Sequence, residues 1–104
     1  RAAGGTASFH AVDVCSWASI EPAIATVSAE LGAPGVLVNC AGIGNFVRSE
    51  LETQHNWERT IAVNLTGTFL MCRSVLPAML AAGRGSIVNI ASDSGLLGQL
   101  FAAA

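Results

Sequence analysis

Small and polar residues that follow apolar segments supply most of the candidate chemistry of this sequence. The residues in question are Asp13, Asn39, Ala41, Gly42 and Ser92. A carboxylate accepts hydrogen bonds, a hydroxyl both donates and accepts them, and small residues let a ligand approach the backbone closely. These positions predict a ligand-binding surface, provided that the fold brings them together.

Alternating extended and helical segments indicate which elements would position these residues. Apolar runs at 6–14, Val36–Asn39 and 86–91 predict three strands, and the uninterrupted apolar character of the second is typical of a strand covered on both faces. Helical periodicity runs from Ile20 to Leu31, and a longer helical stretch follows Thr53, a residue suited to cap it. The sequence therefore predicts an α/β fold, a partial Rossmann-like doubly wound parallel sheet of three strands with intervening helices.

In a parallel sheet the carboxyl ends of the strands meet at one edge, which is where nucleotides bind in such folds. Asp13, Asn39 and Ser92 would lie along this edge. Asn64 falls within the long helical stretch and interrupts its apolar periodicity, as do Gly67 and Pro77, so we expect a kink near Asn64.

Composition restricts the possible partners. With 52% hydrophobic and 12% charged residues, the 104-residue chain indicates one small folded domain and not a disordered segment. The net charge is −2 and the five basic residues, all Arg, are scattered, so we expect neither nucleic acid nor an anionic membrane as a partner. Polar residues interrupt the longest apolar stretch, so we expect no membrane span.

The three cysteines, Cys15, Cys40 and Cys72, match neither the spacing of a redox pair nor that of a zinc site. We therefore expect no metal, and small apolar cysteines in a reduced, cytoplasmic protein.

Four segments, in this order, resemble the middle section of the short-chain dehydrogenase/reductase family. They are Asp13-Val14, Asn39-Cys40-Ala41-Gly42, Val63-Asn64 and the run 85–92, and the resemblance covers nearly all of the chain. It implies that residues 1–104 form the central part of a single NAD(P)-binding Rossmann-type domain. It also implies an oxidoreductase that transfers a hydride between NAD or NADP and a small-molecule alcohol or carbonyl substrate.

The resemblance implies a cofactor-binding role for five of these residues. Asp13 would accept a hydrogen bond from the adenine amino group, and Val14 would support the adenine. Asn39 would contact the cofactor ribose and tie the central strands together. Ala41 and Gly42 would be small so that the adenosine portion can approach the backbone.

The catalytic roles implied by the family fall on Ser92 and Asn64. The Ser92 hydroxyl would hydrogen-bond the substrate oxygen, and Asn64, at a break in the helix, would help to hold a water in a proton relay. Val63 would lie near the nicotinamide ribose. Ser94 is the rival of Ser92, although the spacing from the preceding strand favours Ser92.

Structural alternatives exist for these residues. Asp13 could cap the following helix, Asn64 could be a polar residue that only kinks its helix, and Ser92 could cap a turn. Cys40 stands where the family usually has Asn, and we expect altered packing there and not a reactive nucleophile.

The family's other functional elements are a glycine-rich phosphate loop before this segment and a Tyr and a Lys after the serine. The sequence contains no Tyr and its basic residues are all Arg, so we expect a fragment of a longer enzyme, inactive in isolation. A non-catalytic nucleotide-binding or regulatory relative, or an unrelated structural α/β module, are the alternatives. Family members commonly pair through the long helix, so we expect a homo-oligomer, a dimer or tetramer, of the full-length protein. The candidate interface residues, each of which could equally face the sheet, are Phe69, Leu70, Val75 and Leu76.

Overall fold

A computed structural model of the protein describes residues 4–103. The described elements are, in chain order, α1 (Trp17–Leu31), β1 (Val36–Asn39), α2 (Gln54–Ile61), α3 (Thr68–Ala81) and β2 (Ser86–Asn89). A π-helical turn, Ala62–Gly67, joins α2 to α3 without a break, so the chain is helical from Gln54 to Ala81. Two short 3₁₀ turns follow the strands, at Ser49–Leu51 and Asp93–Gly95.

The strands β1 and β2 pair in parallel, with Val36 opposite Ser86 and Asn39 opposite Asn89. Parallel neighbours need a crossover connection, which α2 and α3 supply. One further hydrogen bond continues the ladder at each end of the sheet: Ser86 N donates to Gly35 O at 3.0 Å, and Ile90 N donates to Asn39 O at 2.9 Å. The predicted α/β fold with a parallel sheet is confirmed.

The prediction of a third strand is wrong in the described part of the chain. Residues 6–14 are not paired as a strand, and the sheet of the described residues consists of β1 and β2. An extended segment becomes a strand only when a neighbour satisfies its backbone groups, and no described segment pairs with the free edge of β1. The predicted third segment is also shorter than expected, since β2 ends at Asn89.

The ends of the helices follow partly from local chemistry. Thr53 caps α2 as predicted, because its Oγ1 accepts from Asn56 N at 3.1 Å. Ser16 occupies the capping position of α1 but makes no side-chain cap bond, and Ser19 Oγ instead accepts from Asp13 N at 2.9 Å. Gly32 ends α1 with a φ of 90°, a conformation that favours glycine.

A small core lies where α1, α3 and β1 meet, and its buried hydrophobic residues are Ile20, Val75 and Met79. Of the candidate interface residues, Val75 therefore faces inward, whereas Phe69 is 61% exposed and Leu76 is 40% exposed. Arg73 of α3 also stacks over the Trp17 ring of α1, 4.8 Å from its centroid.

The helical stretch Gln54–Ala81 is long and apolar enough to cross a membrane by length and composition alone. Apolar core helices of soluble proteins meet the same test. The absence of a membrane span therefore stays a prediction.

Candidate functional site

A cleft of about 710 Å³ opens at the carboxyl ends of the two strands. The backbone of Ala41 and Gly42 forms one side, Asn64 and Thr68 of the helical stretch form another, and Ser92 faces them from beyond β2. Four segments far apart in sequence thus meet in one place. This is the position at which open α/β sheets bind ligands.

Asn64 binds the loop that follows β1 through both ends of its side-chain amide. Its Oδ1 accepts from Ile43 N at 2.9 Å, and its Nδ2 donates to Ile43 O at 2.8 Å. The π turn places Asn64 in this position, and such turns are frequent at functional sites. Asn64 therefore does more than kink its helix, because it fixes one wall of the cleft.

The backbone carbonyl of Asn64 is also engaged. Thr68 Oγ1 donates to Asn64 O at 2.8 Å, a bond between residues one helical turn apart. The water relay that the family resemblance assigns to Asn64 stays a prediction. Any water bound at this carbonyl would share it with Thr68.

Asn39 links the two strands at their carboxyl ends. Its Nδ2 donates to Asn89 Oδ1 at 2.9 Å and also lies 3.3 Å from Cys72 Sγ of α3, a weaker acceptor. The strand-tying contact expected of Asn39 is therefore present. Its contact with a cofactor ribose stays a prediction.

Val14 packs directly on the π turn at Gly67, which is buried. A Cβ added to Gly67 would lie 2.8 Å from Val14 Cγ2 and 3.3 Å from Val14 O, so this approach requires glycine. The contact anchors the segment before α1 beside the site. Val14, Asn39 and Ala41 border a narrow gap of about 10 Å³ next to the main cleft.

Asp13 lies in the turn before α1, where its Oδ1 accepts from Cys15 N at 2.9 Å. Asp13 thus stabilises the turn and does not cap the helix, whose capping position is Ser16. Local desolvation, and then the Asp13 charge, raise the pKa of the Cys15 thiol above its ordinary value. Cys15 is accordingly disfavoured as a thiolate nucleophile.

Ser92 carries the densest set of side-chain hydrogen bonds at the cleft. Its Oγ lies 3.1 Å from Asp93 Oδ1 and 3.1 Å from Ser94 Oγ, and it accepts from Ser94 N at 3.2 Å. Ser92 thereby caps the 3₁₀ turn, as the structural alternative proposed. Both Ser92 and Ser94 line the cleft, so the geometry does not decide which hydroxyl would contact the substrate oxygen.

Gly42 leaves room for a ligand. Its φ is not positive, and an added Cβ would lie at an ordinary 3.6 Å from Asn64 Oδ1, so the fold itself does not require glycine here. A close approach of a bound molecule to the backbone is then a reason for the small residue. The cleft is consistent in this respect with a nicotinamide cofactor.

The predicted site residues divide into two groups. Ala41, Gly42, Asn64 and Ser92 line the main cleft, together with the exposed Cys40. The residues that do not line it are Asp13, Val14, Asn39 and Val63.

Sequence reasoning missed Ile43 and Thr68. The spacing of Thr68, four residues after Asn64 on the same helix face, was a signal that could have found it. Within residues 4–103, no group of three or more His, Cys, Asp or Glu side chains could hold a metal ion.

Comparisons with known proteins identify the family of the chain. The family model described as short chain dehydrogenase matches residues 1–104. The chain belongs to the short-chain dehydrogenase family. A D-threitol dehydrogenase of Mycolicibacterium smegmatis is 44% identical to it over 94 residues, which are 88% of this chain and 36% of that protein.

Two further relatives of the chain are informative. A protein of Xanthobacter autotrophicus named inactive 2-(S)-hydroxypropyl-CoM dehydrogenase 2 is 43% identical over 86 residues, which cover 83% of this chain and 37% of the relative. The crystal structure of a gluconate 5-dehydrogenase from Burkholderia cenocepacia, in complex with NADP and tartrate, superimposes with a TM-score of 0.82 and 34% identity. That match covers 88% of this chain and 36% of the other. The chain thus spans about a third of the length of these relatives.

Proposed function

We propose that the complete protein carrying this segment is an NAD(P)-dependent oxidoreductase that acts on an alcohol or carbonyl substrate. The observation that carries the proposal is the common cleft of Gly42, Asn64 and Ser92 at the carboxyl ends of two parallel strands. Dehydrogenase relatives and an NADP-bound structural neighbour support it. Which of the two cofactors is used stays open in this proposal.

The cofactor would be held along the strand ends. The residues proposed to bind it are Asp13, Val14, Asn39, Ala41, Gly42 and Val63. Bound as NAD(P)⁺, the cofactor would supply the acceptor for a hydride from the carbinol carbon, and the hydroxyl proton would pass to a base, so that the alcohol would become a carbonyl compound. Asn64 positions the loop wall through Ile43, and thereby keeps Gly42 at the edge of the cleft.

Ser92 is the residue proposed to contact the substrate. Its hydroxyl would hydrogen-bond the oxygen that changes between alcohol and carbonyl, and so hold the reacting carbon in place. The Ser94 N–H bond to Ser92 Oγ restrains the rotamer of that hydroxyl.

The segment itself is proposed to be the central part of a single Rossmann-type domain in a cytoplasmic homo-oligomer, without nucleic acid or membrane partners. The chain covers about a third of each relative, which supports its assignment to one part of a longer domain. The exposed Phe69 and Leu76 of α3 support an interface there. Phe9, 90% exposed, and Val36, 63% exposed, support the expectation that residues 1–104 alone would be poorly soluble and inactive.

The test is turnover of the complete protein with NAD⁺ and with NADP⁺ across a panel of alcohols, followed by the absorbance of the reduced nicotinamide. Ser92→Ala should lower kcat by about 10²–10³-fold, because one preorganised hydrogen bond at the reacting oxygen is lost. Ser94→Ala is the matched control and should change kcat by less than about tenfold. The reverse ranking would transfer the catalytic role to Ser94.

A non-catalytic nucleotide-binding protein is the second candidate, and the relative named inactive keeps it under consideration. A nicotinamide-dependent rise in Tm without turnover of any alcohol or carbonyl compound would favour this candidate. A protein that shows no Tm shift with nicotinamide cofactors and no turnover would contradict both candidates.

A further inference from the structure

Asp93 stands beside the proposed catalytic hydroxyl and has no part in the function described so far. Its Oδ1 lies 3.1 Å from Ser92 Oγ, both residues are exposed, and Ser92 lines the cleft. Ser94 Oγ, also 3.1 Å from Ser92 Oγ, donates its own hydrogen to Gln99 Oε1. These four side chains form a connected polar cluster, Asp93-Ser92-Ser94-Gln99.

Counting hydrogens shows that this cluster is rich in acceptors. The Ser92 hydroxyl has one hydrogen and two acceptors within reach, Asp93 and Ser94, while the Ser94 hydrogen is already used. An ionised carboxylate is an acceptor only, and it attracts the hydrogen more strongly than a neutral hydroxyl does. A molecule that enters the cleft beside Ser92 therefore meets a surplus of acceptors.

Charge acts in the same direction. The Asp93 carboxylate contacts Ser92 from just outside the residues that line the cleft. The described lining residues include no Arg or His, so none of them offers a cation to neutralise Asp93. A substrate carboxylate or phosphate near Ser92 would face this negative charge without compensation. A neutral hydroxyl could instead donate to it.

We propose that Asp93 is a specificity-determining residue that selects neutral polyhydroxylated alcohols over anionic ones. This inference depends on the proposed oxidoreductase function. A second hydroxyl of the substrate donates to Asp93 Oδ1 and replaces Ser92 as its donor. The Ser92 hydrogen is then free to bond the reacting oxygen. A diol or polyol therefore binds Asp93 through one hydroxyl and, by doing so, makes the Ser92 hydroxyl available for catalysis.

The experiment compares erythritol, a neutral tetraol, with erythronate, the anion of the same carbon skeleton, in the complete protein. The unmodified enzyme should prefer erythritol in kcat/KM by about 100-fold or more, because like charges repel in the cleft. Asp93→Asn should reduce this ratio about tenfold or more, since a hydrogen bond to a charged group is lost and the repulsion removed. The change should fall mainly on KM.

Glu21→Gln is the charge-matched control, because Glu21 lies on α1 in the groove beside Trp17 and Arg73, away from the cleft. It should leave the erythritol to erythronate ratio unchanged. Should Asp93→Asn fail to fold, the inhibition of the unmodified enzyme by erythronate serves instead. Its inhibition constant should exceed the KM for erythritol about tenfold or more.

The outcomes separate this inference from the proposed function. Turnover of simple monohydric alcohols without a preference for erythritol, or an unchanged ratio in Asp93→Asn, would overturn the role of Asp93 and leave the oxidoreductase intact. Absence of nicotinamide-dependent turnover with every alcohol in the panel would overturn both.

Discussion

The two ends of the parallel sheet carry depressions of comparable size but different chemistry. At the carboxyl ends the cleft measures about 710 Å³ and is bordered by hydrogen-bonded side chains: Asn64 binds the loop after β1, and Ser92 caps its own 3₁₀ turn. At the amino ends a depression of about 450 Å³ is lined mainly by small apolar residues, with Arg84 and Ser86 as its polar side chains.

Size alone therefore does not identify a site in this molecule. The carboxyl end differs because its polar side chains hold loops and strands in fixed relation, which a binding or catalytic surface requires. Near the amino end, Gly35 meets no neighbouring atom that an added Cβ would approach. Substitutions at Asn64 and Gly67 should accordingly cost more than a substitution at Gly35.

Among the substitutions that test this comparison, the largest effect is expected from Asn64→Ala in the complete protein. Two hydrogen bonds to Ile43 are lost, which should lower the free energy of unfolding by about 1–3 kcal/mol. The released loop should also lower kcat/KM by about 100-fold, because the cleft wall is displaced. Urea denaturation and steady-state kinetics measure the two effects.

Asn45→Ala is the control for Asn64→Ala, since Asn45 belongs to the same loop but makes only a 3.4 Å contact with Glu52 Oε1. Its effect on unfolding should stay within about 0.5 kcal/mol. Equal losses of unfolding free energy in the two variants would show that the two hydrogen bonds between Asn64 and Ile43 contribute no more to stability than the Asn45 contact does.

Gly67→Ala should follow in size. The new methyl would meet the stiff Val14 side chain at 2.8 Å, and overpacking of this kind costs about 1–3 kcal/mol, of which helix propensity returns up to about 1 kcal/mol. Gly35→Ala, at the open end of the sheet, should change stability by less than about 0.5 kcal/mol. Urea midpoints compare the pair, and a neutral Gly67→Ala would remove the proposed anchor of the first segment.

Asn39→Ala should have an intermediate effect. The loss of the bond to Asn89 Oδ1 should lower the free energy of unfolding by about 0.5–1.5 kcal/mol. Asn89→Ala should cost a similar amount, and the double variant should cost less than the sum, because both remove the same bond. Additive losses would contradict a direct tie between the strands.

The smallest effect is expected at Glu30, near the end of α1. Hydrogen bonds from Ser8 and then from His10 hold the pKa of this carboxyl below its ordinary value of 4.5. The ionised form is thus favoured by folding, and its contribution is present above that value and lost as the pH falls through the lower folded-state pKa.

Glu30→Gln should therefore lower Tm slightly at about pH 7 and by less at about pH 3, because protonation of the carboxyl below 4.5 removes this contribution. Thermal unfolding at the two pH values measures the difference. A larger loss at low pH would reverse the sign and contradict the assignment.

Local pattern was enough for much of the fold. Val36–Asn39 is recognisable as a strand by its apolar run, and Thr53 as a cap by its position before a helix, because both depend on near neighbours in sequence. The extended segment 6–14 was predicted as a strand by the same logic, and wrongly, because pairing depends on a partner that local sequence does not specify.

The sequence by itself determined the family and the order of the site residues, since their types and spacing are properties of the chain. Only the tertiary structure decided that Asn64 holds Ile43, that Gly67 admits Val14 and that Val75 faces inward. Each of these facts is a contact between separate segments, fixed by how the helices pack on the sheet. Hydrophobic periodicity in the sequence indicates which residues are buried, whereas the packing of helices on the sheet determines which residues they contact.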